Sequence, residues 1–271
     1  MRPVPIVRCL VFPGPQHASG GSYRIGPGTA AVFTSRAPDK DTPNEDSAAL
    51  IPVNPEVAVL VVADGVGGQP SGEVASAIAV STLKVRIADS RNSPGDLREP
   101  ILSAIEDANA RIIEDGGGAA TTLAIVEIHA RFMRPYHVGD SMILVTGQRG
   151  KVKLETVSHS PVGYAVESGI LSEADAIHHE ERHLVSNVVG SRDLHVSVGI
   201  PFRMSARDTL VLATDGLFDN LHKEEIVELT RRGPLPQCAD KLRVLAAQRM
   251  SGGQKLAKPD DMTFILYRPG A

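Results

Sequence analysis

Residues 57–68 read Val57-Ala58-Val59-Leu60-Val61-Val62-Ala63-Asp64-Gly65-Val66-Gly67-Gly68. An apolar run of this length, rich in β-branched residues and bounded by glycines, predicts a buried strand. An aspartate closes the strand, and the glycines after it allow a sharp turn in which a main-chain carbonyl can approach a ligand. A second apolar run, Leu210-Val211-Leu212-Ala213-Thr214, also ends in Asp-Gly, at Asp215-Gly216. One Asp-Gly pair is ordinary turn chemistry, but two at the ends of core strands suggest a shared task.

The composition describes an ordinary globular protein. The chain has 271 residues, of which 42% are hydrophobic and 22% charged, enough to bury a sizeable core. A net charge of −4 gives no electrostatic reason to expect nucleic acid or a membrane as partner. Cys9 and Cys238 are isolated, so neither a disulfide framework nor a thiolate metal site is expected. No apolar stretch approaches the roughly 20 residues that span a bilayer, and the proline-broken N-terminus makes a poor signal peptide. We therefore expect a cytoplasmic protein.

The order of predicted elements favours an α+β fold. Residues 1–28 are rich in proline and glycine, which predicts an extended or loosely ordered lead-in before a domain over residues 29–271. Strands in the region 121–156 are joined by links so short that they must pair antiparallel. Helix pairs are predicted on either side of this region, between the strand at 57–63 and residue 121 and between the strands at 209–214 and 262–267. Antiparallel sheets covered by helix pairs suit this order best.

Five acidic residues share one placement, at the end or the start of an apolar strand: Asp46, Asp64, Asp140, Asp215 and Asp260. A single aspartate in such a place is usually a turn or cap residue. Five that converge would repel one another and could not all stay ionised without a cation. Because carboxylate, carbonyl and water oxygens suit hard ions, the expected cofactor is Mg²⁺ or Mn²⁺ rather than zinc.

Six short motifs contain these residues: Asn44-Glu45-Asp46, Ala63-Asp64-Gly65-Val66-Gly67-Gly68, Ala120-Thr121-Thr122, Val138-Gly139-Asp140-Ser141, Ala213-Thr214-Asp215-Gly216-Leu217-Phe218-Asp219 and Asp260-Asp261-Met262-Thr263. In this order they resemble the motif series of the metal-dependent protein phosphatase (PPM) family, the type 2C serine/threonine phosphatases, in its bacterial-type members. The resemblance extends over roughly residues 29–268, nearly the whole chain. Six motifs in register are far more specific than any one of them.

The resemblance implies a four-layer α-β-β-α sandwich, with two antiparallel sheets flanked by helix pairs. It also implies a two-metal centre, with Asp140 and Asp215 holding a third ion in addition. The metal ligands that the resemblance implies are Asp46, Asp64, the Gly65 carbonyl, Asp140, Asp215 and Asp260. Of these, Asp46, Asp64, Asp215 and Asp260 are also the implied catalytic residues. Residues 159–191 resemble the family's flap segment, which varies with substrate. The expected partners are phosphorylated proteins and a cognate serine/threonine kinase, and the expected state is a monomer.

Three positions depart from the family pattern. The arginine that usually grips the phosphate, about five residues before the first aspartate, is replaced by Asp41, so Arg36 or Lys40 is the candidate substitute. Val66 stands where some members carry a histidine as general acid. The final motif is Asp260-Asp261 instead of Asp-Asn, and we expect Asp260 to be the ligand.

The chemistry implied by this resemblance needs no side-chain nucleophile. Two divalent ions about 3.5–4 Å apart would share a bridging water and lower its pKa, giving a nucleophile near neutral pH. In-line attack on phosphorus would hydrolyse phosphoserine or phosphothreonine without a phosphoenzyme, while cations neutralise the phosphoryl oxygens.

Two alternatives stay open at this point. His179-Glu180-Glu181-Arg182-His183 matches the His-Glu-x-x-His signature of zinc metalloproteases, in which His179 and His183 would bind zinc and Glu180 would activate water. The extended form of that signature needs a histidine where Val189 stands, and a solvated flap helix is the simpler interpretation. The second alternative is a catalytically inactive PPM-type domain that only binds phosphoproteins.

Overall fold

The computed structural model describes residues 9–13, 19–66, 71–89, 96–176, 179–252 and 258–270. Their strands are, in chain order, β1 (Leu10–Pro13), β2 (Ser19–Ile25), β3 (Gly28–Ser35), β4 (Asp46–Asn54), β5 (Val57–Asp64), β6 (Leu123–His129), β7 (Phe132–Val138), β8 (Met142–Thr146), β9 (Val152–Glu155), β10 (Ser197–Val198), β11 (Phe202–Arg203), β12 (Thr209–Ala213) and β13 (Met262–Pro269). Their α-helices are α1 (Gly72–Asp89), α2 (Arg98–Asp115), α3 (Pro161–Glu167), α4 (Glu173–Ala176), α5 (Asp215–Phe218), α6 (Lys223–Thr230) and α7 (Leu235–Ser251).

The strands form two antiparallel sheets. One has the order β1-β4-β5-β6-β7-β10, with β11 also pairing with β7, and the other has the order β2-β3-β13-β12-β8-β9. A core of apolar residues from both sheets lies between them. A second core joins the first sheet to α1 and α2, and a third joins the second sheet to α6 and α7. The predicted four-layer α-β-β-α sandwich is therefore confirmed.

Strand β5 is apolar from Val57 to Ala63 because both of its faces are buried. Successive side chains of a strand point to opposite faces of the sheet. Val59 and Val61 accordingly belong to the core under α1 and α2, whereas Leu60 and Val62 belong to the core between the sheets. A strand with only one buried face would have alternated apolar and polar residues.

The residues before Thr29 differ from the predicted loose lead-in. Where they are described, they add a strand to an edge of each sheet, β1 beside β4 and β2 beside β3. Edge strands tolerate the prolines and glycines that suggested a loop, because one side of such a strand makes no ladder hydrogen bonds. The rings of Phe12 and Tyr23 lie 6.0 Å apart and join the two strands. The prediction that this region precedes the folded domain is wrong for these two strands.

The antiparallel pairing brings the acidic strand ends to one edge of the sandwich. Asp46 at the start of β4 is paired directly with Asp64 at the end of β5. In the other sheet, Ala213 at the end of β12 pairs with Phe264 near the start of β13, so Asp215 and Asp260 lie beyond neighbouring strand ends. In an antiparallel pair the end of one strand lies beside the start of the next, which explains the convergence.

None of the helices within the described ranges combines the length and the apolar character that crossing a bilayer needs.

Candidate metal centre

The five strand-end aspartates lie within electrostatic reach of one another. Burial raises the pKa of Asp64 well above its usual value, and the charges of the other four aspartates, Asp46, Asp215, Asp260 and Asp140, raise it further. Like charges of this kind are tolerated in a folded protein when a cation compensates them. The structure thus brings together carboxylates that are up to 214 positions apart, from residue 46 to residue 260.

Asp46 is fully buried, and its two oxygens have different surroundings. The Thr214 hydroxyl donates to Oδ2 at 2.9 Å, whereas Oδ1 has no hydrogen-bond partner among the described residues. Thr214 is held in turn by the Thr263 amide, which donates to its Oγ1 at 3.0 Å. Burial, followed by the charge of Asp261, raises the pKa of Asp46 well above its usual value. A buried carboxylate oxygen left in this state costs free energy unless another group binds it.

Asp215 shows the same division between its two oxygens. Oδ2 accepts a hydrogen bond from the Lys258 ammonium, while Oδ1 is buried without a hydrogen-bond partner in the part of the chain that is described. Asp46 and Asp215 therefore each present one unsatisfied oxygen, and both belong to the converging set. All the donors available here are oxygens, which is the chemistry preferred by Mg²⁺ and Mn²⁺.

Lys258 is the cation that the sequence analysis did not identify. Its Nζ contacts three carboxylates: that of Asp215, that of Asp219 at 2.9 Å and that of Asp260 at 3.2 Å. Burial lowers the pKa of Lys258, but these three charges more than offset that effect, so the pKa is raised. A lysine in a sequence is most often a solvated surface residue, and nothing in the local motif distinguished this one.

The carboxylates converge without closing into a complete coordination shell. Within the described ranges, no three His, Cys, Asp or Glu side chains are arranged as ligands of a single ion. The ammonium of Lys258 lies between Asp215, Asp219 and Asp260 and keeps their oxygens directed toward itself. The buried oxygens of Asp46 and Asp215 that lack a partner among the described residues nevertheless indicate a binding site. Such atoms are expected where a bound group completes the hydrogen bonding or coordination. The residues present therefore fit a centre of hard divalent ions.

Asp260 and Asp261 have different surroundings. Asp261 is 3% exposed, and it accepts hydrogen bonds from the Ala37 amide at 2.8 Å, the Glu45 amide at 2.7 Å and Lys40 Nζ at 2.6 Å. Asp261 thus fixes the segment before β4, whereas Asp260 faces the cluster. This arrangement supports Asp260 as the ligand.

The two candidate phosphate-binding cations are placed differently. Lys40 is paired with Asp261 and, at 2.7 Å, with Glu45, which leaves one of its three donors for another group. Arg36 is partly buried, and the described residues offer its guanidinium no hydrogen bond or ion pair. Neither residue is fixed toward the cluster, so a phosphate-binding role for either stays a prediction.

A cavity of about 280 Å³ opens beside the cluster. Asp140, Asp215 and Asp219 form one wall, and the flap segment forms another through residues that include Val162 of α3 and Arg182. Apolar and cationic side chains are therefore both available next to the carboxylates.

His159 connects the flap segment to the Asp140 turn. The Gly139 amide donates to His159 Nδ1 at 3.2 Å, and the His159 amide donates to the Gly139 carbonyl at 2.9 Å. Its Nε2 lies 2.9 Å from the Ser197 hydroxyl. Burial, followed by the neighbouring charges of His137 and His195, lowers the pKa of His159 to about 4, so the ring is neutral at pH 7. The sequence around His159 indicates no role for this residue beyond its place in a segment with several histidines.

The segment with the protease-like signature is not a continuous α-helix. Only Glu180–His183 form a 3₁₀ turn, and His179 precedes it as an extended cap residue whose Nδ1 accepts from the Glu181 amide at 3.2 Å. In the zinc signature, the two histidines face one metal because they lie on a continuous α-helix. The predicted zinc site with His179, Glu180 and His183 required such a helix, and that part of the prediction is wrong. Residue 178 lies outside the described residues.

The raised pKa values of the cluster predict how the protein without divalent ions responds to pH. The pKa is raised from 3.8 to about 8 for Asp140 and to about 7 for Asp260, in both cases first by burial and then by Asp215. The folded chain therefore keeps protons that the unfolded chain releases above about pH 4, and the free energy of unfolding falls as pH rises toward about 8. In the presence of a chelator, the thermal midpoint is expected to be lower at pH 8 than at pH 6.5.

The variant Asp140→Asn cannot ionise at this position and is expected to lose less stability over the same interval. Starting at pH 6.5 limits the contribution of His137 and His159, whose lowered pKa values act on stability at lower pH. Equal slopes for the two proteins would contradict the assignment of the effect to the cluster.

The amino-acid sequence of this chain is similar to those of a known protein family. The sequence model of the family described as protein phosphatase 2C matches residues 35–251. Protein phosphatase PhpP of Streptococcus pneumoniae is 28% identical over 179 residues, which cover 63% of this chain and 72% of that protein. Serine/threonine protein phosphatase PstP of Mycobacterium tuberculosis is 26% identical over 229 residues, which cover 82% of this chain and 41% of that longer protein.

Solved structures show the same architecture. The crystal structure of the serine/threonine phosphatase Stp1 from Staphylococcus aureus has a TM-score of 0.79 at 27% identity, and the match covers 92% of this chain and 98% of that one. The catalytic domain of PstP, crystallised with 2 manganese ions, has a TM-score of 0.73 at 23% identity, with 89% and 98% covered. The similarity extends over both sheets and their helices.

Proposed function

The chain belongs to the protein phosphatase 2C family and is a serine/threonine protein phosphatase, and we propose that Asp46, Asp64, Asp215 and Asp260 hold the two divalent ions of its active site. The Gly65 carbonyl completes the proposed ligand set of this ion pair. Asp140, which the family resemblance predicts as a ligand of a third ion together with Asp215, has its carboxylate near that of Asp64. The observation that carries this proposal is the pair of buried, unsatisfied oxygens on Asp46 and Asp215, which belong to one converging set of carboxylates.

The chain's own residues set the geometry of the proposed site. Thr214 binds Asp46 Oδ2 and leaves Oδ1 for the site, while β4 and β5 hold Asp46 and Asp64 in register. When bound, the ions would lower the pKa of a water molecule and neutralise the charge that develops on the phosphoryl oxygens. Rigid strand ends suit this task, because ligands that are already in place need no reorganisation during the reaction.

Several finer features belong to the same proposal. The ions are Mg²⁺ or Mn²⁺, since every proposed ligand is an oxygen. The substrates are phosphorylated proteins that a cognate kinase supplies, and the enzyme acts as a monomer. The cavity between the cluster and the flap segment receives residues next to the phosphorylated side chain.

Phosphate release from phosphoserine and phosphothreonine peptides tests the proposal. Activity is expected with Mn²⁺ or Mg²⁺, to be lost in excess chelator and to return when Mn²⁺ is added back. The same addition should raise the thermal midpoint, because an ion that binds only the folded state stabilises it.

The alternatives predict different results. Glu180→Gln should leave the phosphatase activity in place, whereas a protease of the zinc type would lose its activity with that change. A chain that binds Mn²⁺ and phosphopeptides but releases no phosphate under any of these conditions would be an inactive binding domain, and the proposed reaction would be rejected.

A further inference from the structure

Lys258 is held at the acidic cluster by its backbone as well as by its side chain. Its amide donates to Asn220 Oδ1 at 3.2 Å, and its carbonyl accepts from Asn220 Nδ2 at 2.9 Å. Asn220 is 3% exposed, and its Nδ2 also donates to the Gly216 carbonyl at 3.0 Å, within the turn that carries Asp215. One buried amide side chain therefore ties the Lys258 backbone to the Asp215 turn, which fixes the base of the lysine side chain.

The ammonium of Lys258 is placed among more carboxylates than it can neutralise. It contacts Asp215, Asp219 and Asp260, and its charge also reaches the buried Asp140. The single charge of Lys258 thus faces four carboxylates, and of these Asp219 also experiences the charge of Arg182. A compact ammonium supplies three donors and a single charge, and here it occupies the space toward which three of these carboxylates point.

The two oxygens of Asp215 mark a boundary between this ammonium and the proposed ion pair. Oδ2 binds Lys258, while Oδ1, like Oδ1 of Asp46, is buried without a hydrogen-bond partner among the described residues. The division leaves the side of the cluster with Asp46 and Asp64 to divalent ions and gives the side with Asp140 and Asp219 to the lysine. Asp260, whose carboxylate lies 3.2 Å from the ammonium, stands with Asp215 at the boundary between the two sides.

We propose that Lys258 takes the place of a third divalent ion, so that this chain binds two ions where the same carboxylates without the lysine would bind three. The inference rests on the proposed function, because it takes the ion pair beside Asp46 and Asp64 as given. Removal of the ammonium would leave Asp140, Asp215 and Asp219 as an oxygen site of the kind that hard divalent ions occupy. Lys258 is then a fixed positive charge that makes this side of the site independent of the divalent ion concentration.

The number of Mn²⁺ ions bound per chain tests this proposal directly. Equilibrium dialysis of the full chain, with metal analysis of the protein compartment, is expected to give two Mn²⁺ per wild-type chain. Lys258→Met, which keeps the length of the side chain and removes its charge, should bind one additional Mn²⁺. In chelator the same variant should have a lower thermal midpoint than wild type, because Asp215, Asp219 and Asp260 lose the ammonium that contacts all three.

Two further variants control the result. Lys223→Met removes another partly buried lysine that is paired with Glu155 at 3.0 Å, and it should bind as many ions as wild type. Lys258→Gln keeps a polar head group that can donate to Asp219, and it gives the same test if the methionine variant does not fold. It too should gain one ion.

The possible outcomes separate this inference from the proposed function. A wild-type chain that binds no Mn²⁺ would reject the proposed function itself. Three ions in the wild type, or two in every folded variant, would reject the inference and leave the phosphatase assignment in place. A rise in KM for Lys258→Met at unchanged Mn²⁺ stoichiometry would also reject it, because that result assigns the lysine to the phosphate group.

Discussion

Asp64→Asn is expected to lower kcat/KM for a phosphoserine peptide by about a thousandfold or more at saturating Mn²⁺. Asparagine keeps the size of the side chain but removes the charge of a proposed metal ligand at the end of β5. The expected loss corresponds to about 4 kcal/mol of transition-state stabilisation, which lies within the several kcal/mol that a bound metal ion supplies by stabilising charge. The initial rate of phosphate release, compared with wild type at equal protein concentration, measures the effect.

The same variant should remain folded, which separates the loss of activity from a loss of structure. The four other aspartates raise the pKa of Asp64, so removal of its charge relieves repulsion, and the thermal midpoint in chelator should not fall. Asp115→Asn, at the exposed end of α2, makes the same chemical change far from the site and should keep full activity. Wild-type activity in Asp64→Asn would rule out Asp64 as a metal ligand.

Gly65→Ala is expected to reduce both stability and activity. A Cβ atom at this position would overlap the backbone of Gly72 at the start of α1, which cannot move aside as a flexible side chain can. The Gly65 amide also donates to the Glu45 carbonyl at 3.1 Å, so a shift of this turn would disturb the segment that leads to Asp46. Overpacking of this kind costs about 1–3 kcal/mol or more in the free energy of unfolding.

Urea unfolding in the presence of chelator measures this stability loss, and the Mn²⁺ concentration needed for half-maximal activity measures the damage to the site. Gly117→Ala is the matched control, because a Cβ at Gly117 would have no atom within 4 Å and its backbone is not left-handed. The control should match wild type in both measurements. If Gly65→Ala also matches wild type, the close approach of this turn to α1 is not needed for the site.

Most of the architecture could be predicted from local patterns. The apolar run ending at Asp64 predicted a strand buried on both faces, and the short links in the region 121–156 predicted antiparallel pairing. Residues 1–28 could not be predicted in the same way. Their strands β1 and β2 form by pairing with β4 and β3. Edge strands tolerate prolines and glycines because only one side of the strand makes ladder hydrogen bonds, so the local sequence resembles that of a loop.

The residues of the candidate site likewise fall into those that local sequence patterns predict and those that they do not. Five aspartates could be selected because each ends or begins an apolar strand. By contrast, the roles of Lys258, Thr214 and Asn220 depend mainly on contacts with distant residues. Asn220 and Lys258 are 38 positions apart, and Thr214 and Asp46 are 168 positions apart. Local spacing carries no information about such contacts, and for that reason Asp261 and Asp260 could be separated only by their hydrogen bonds.

The sequence by itself determined the layers of the fold and the acidic residues of the site, because periodicity and strand-end placement are local properties of the chain. Only the tertiary structure decided which carboxylate oxygens remain unsatisfied and which are bound by Thr214, Lys258 or the amides around Asp261. The physical reason is that hydrogen bonding and charge compensation depend on distances between atoms, and the pairing of strands in two sheets sets those distances.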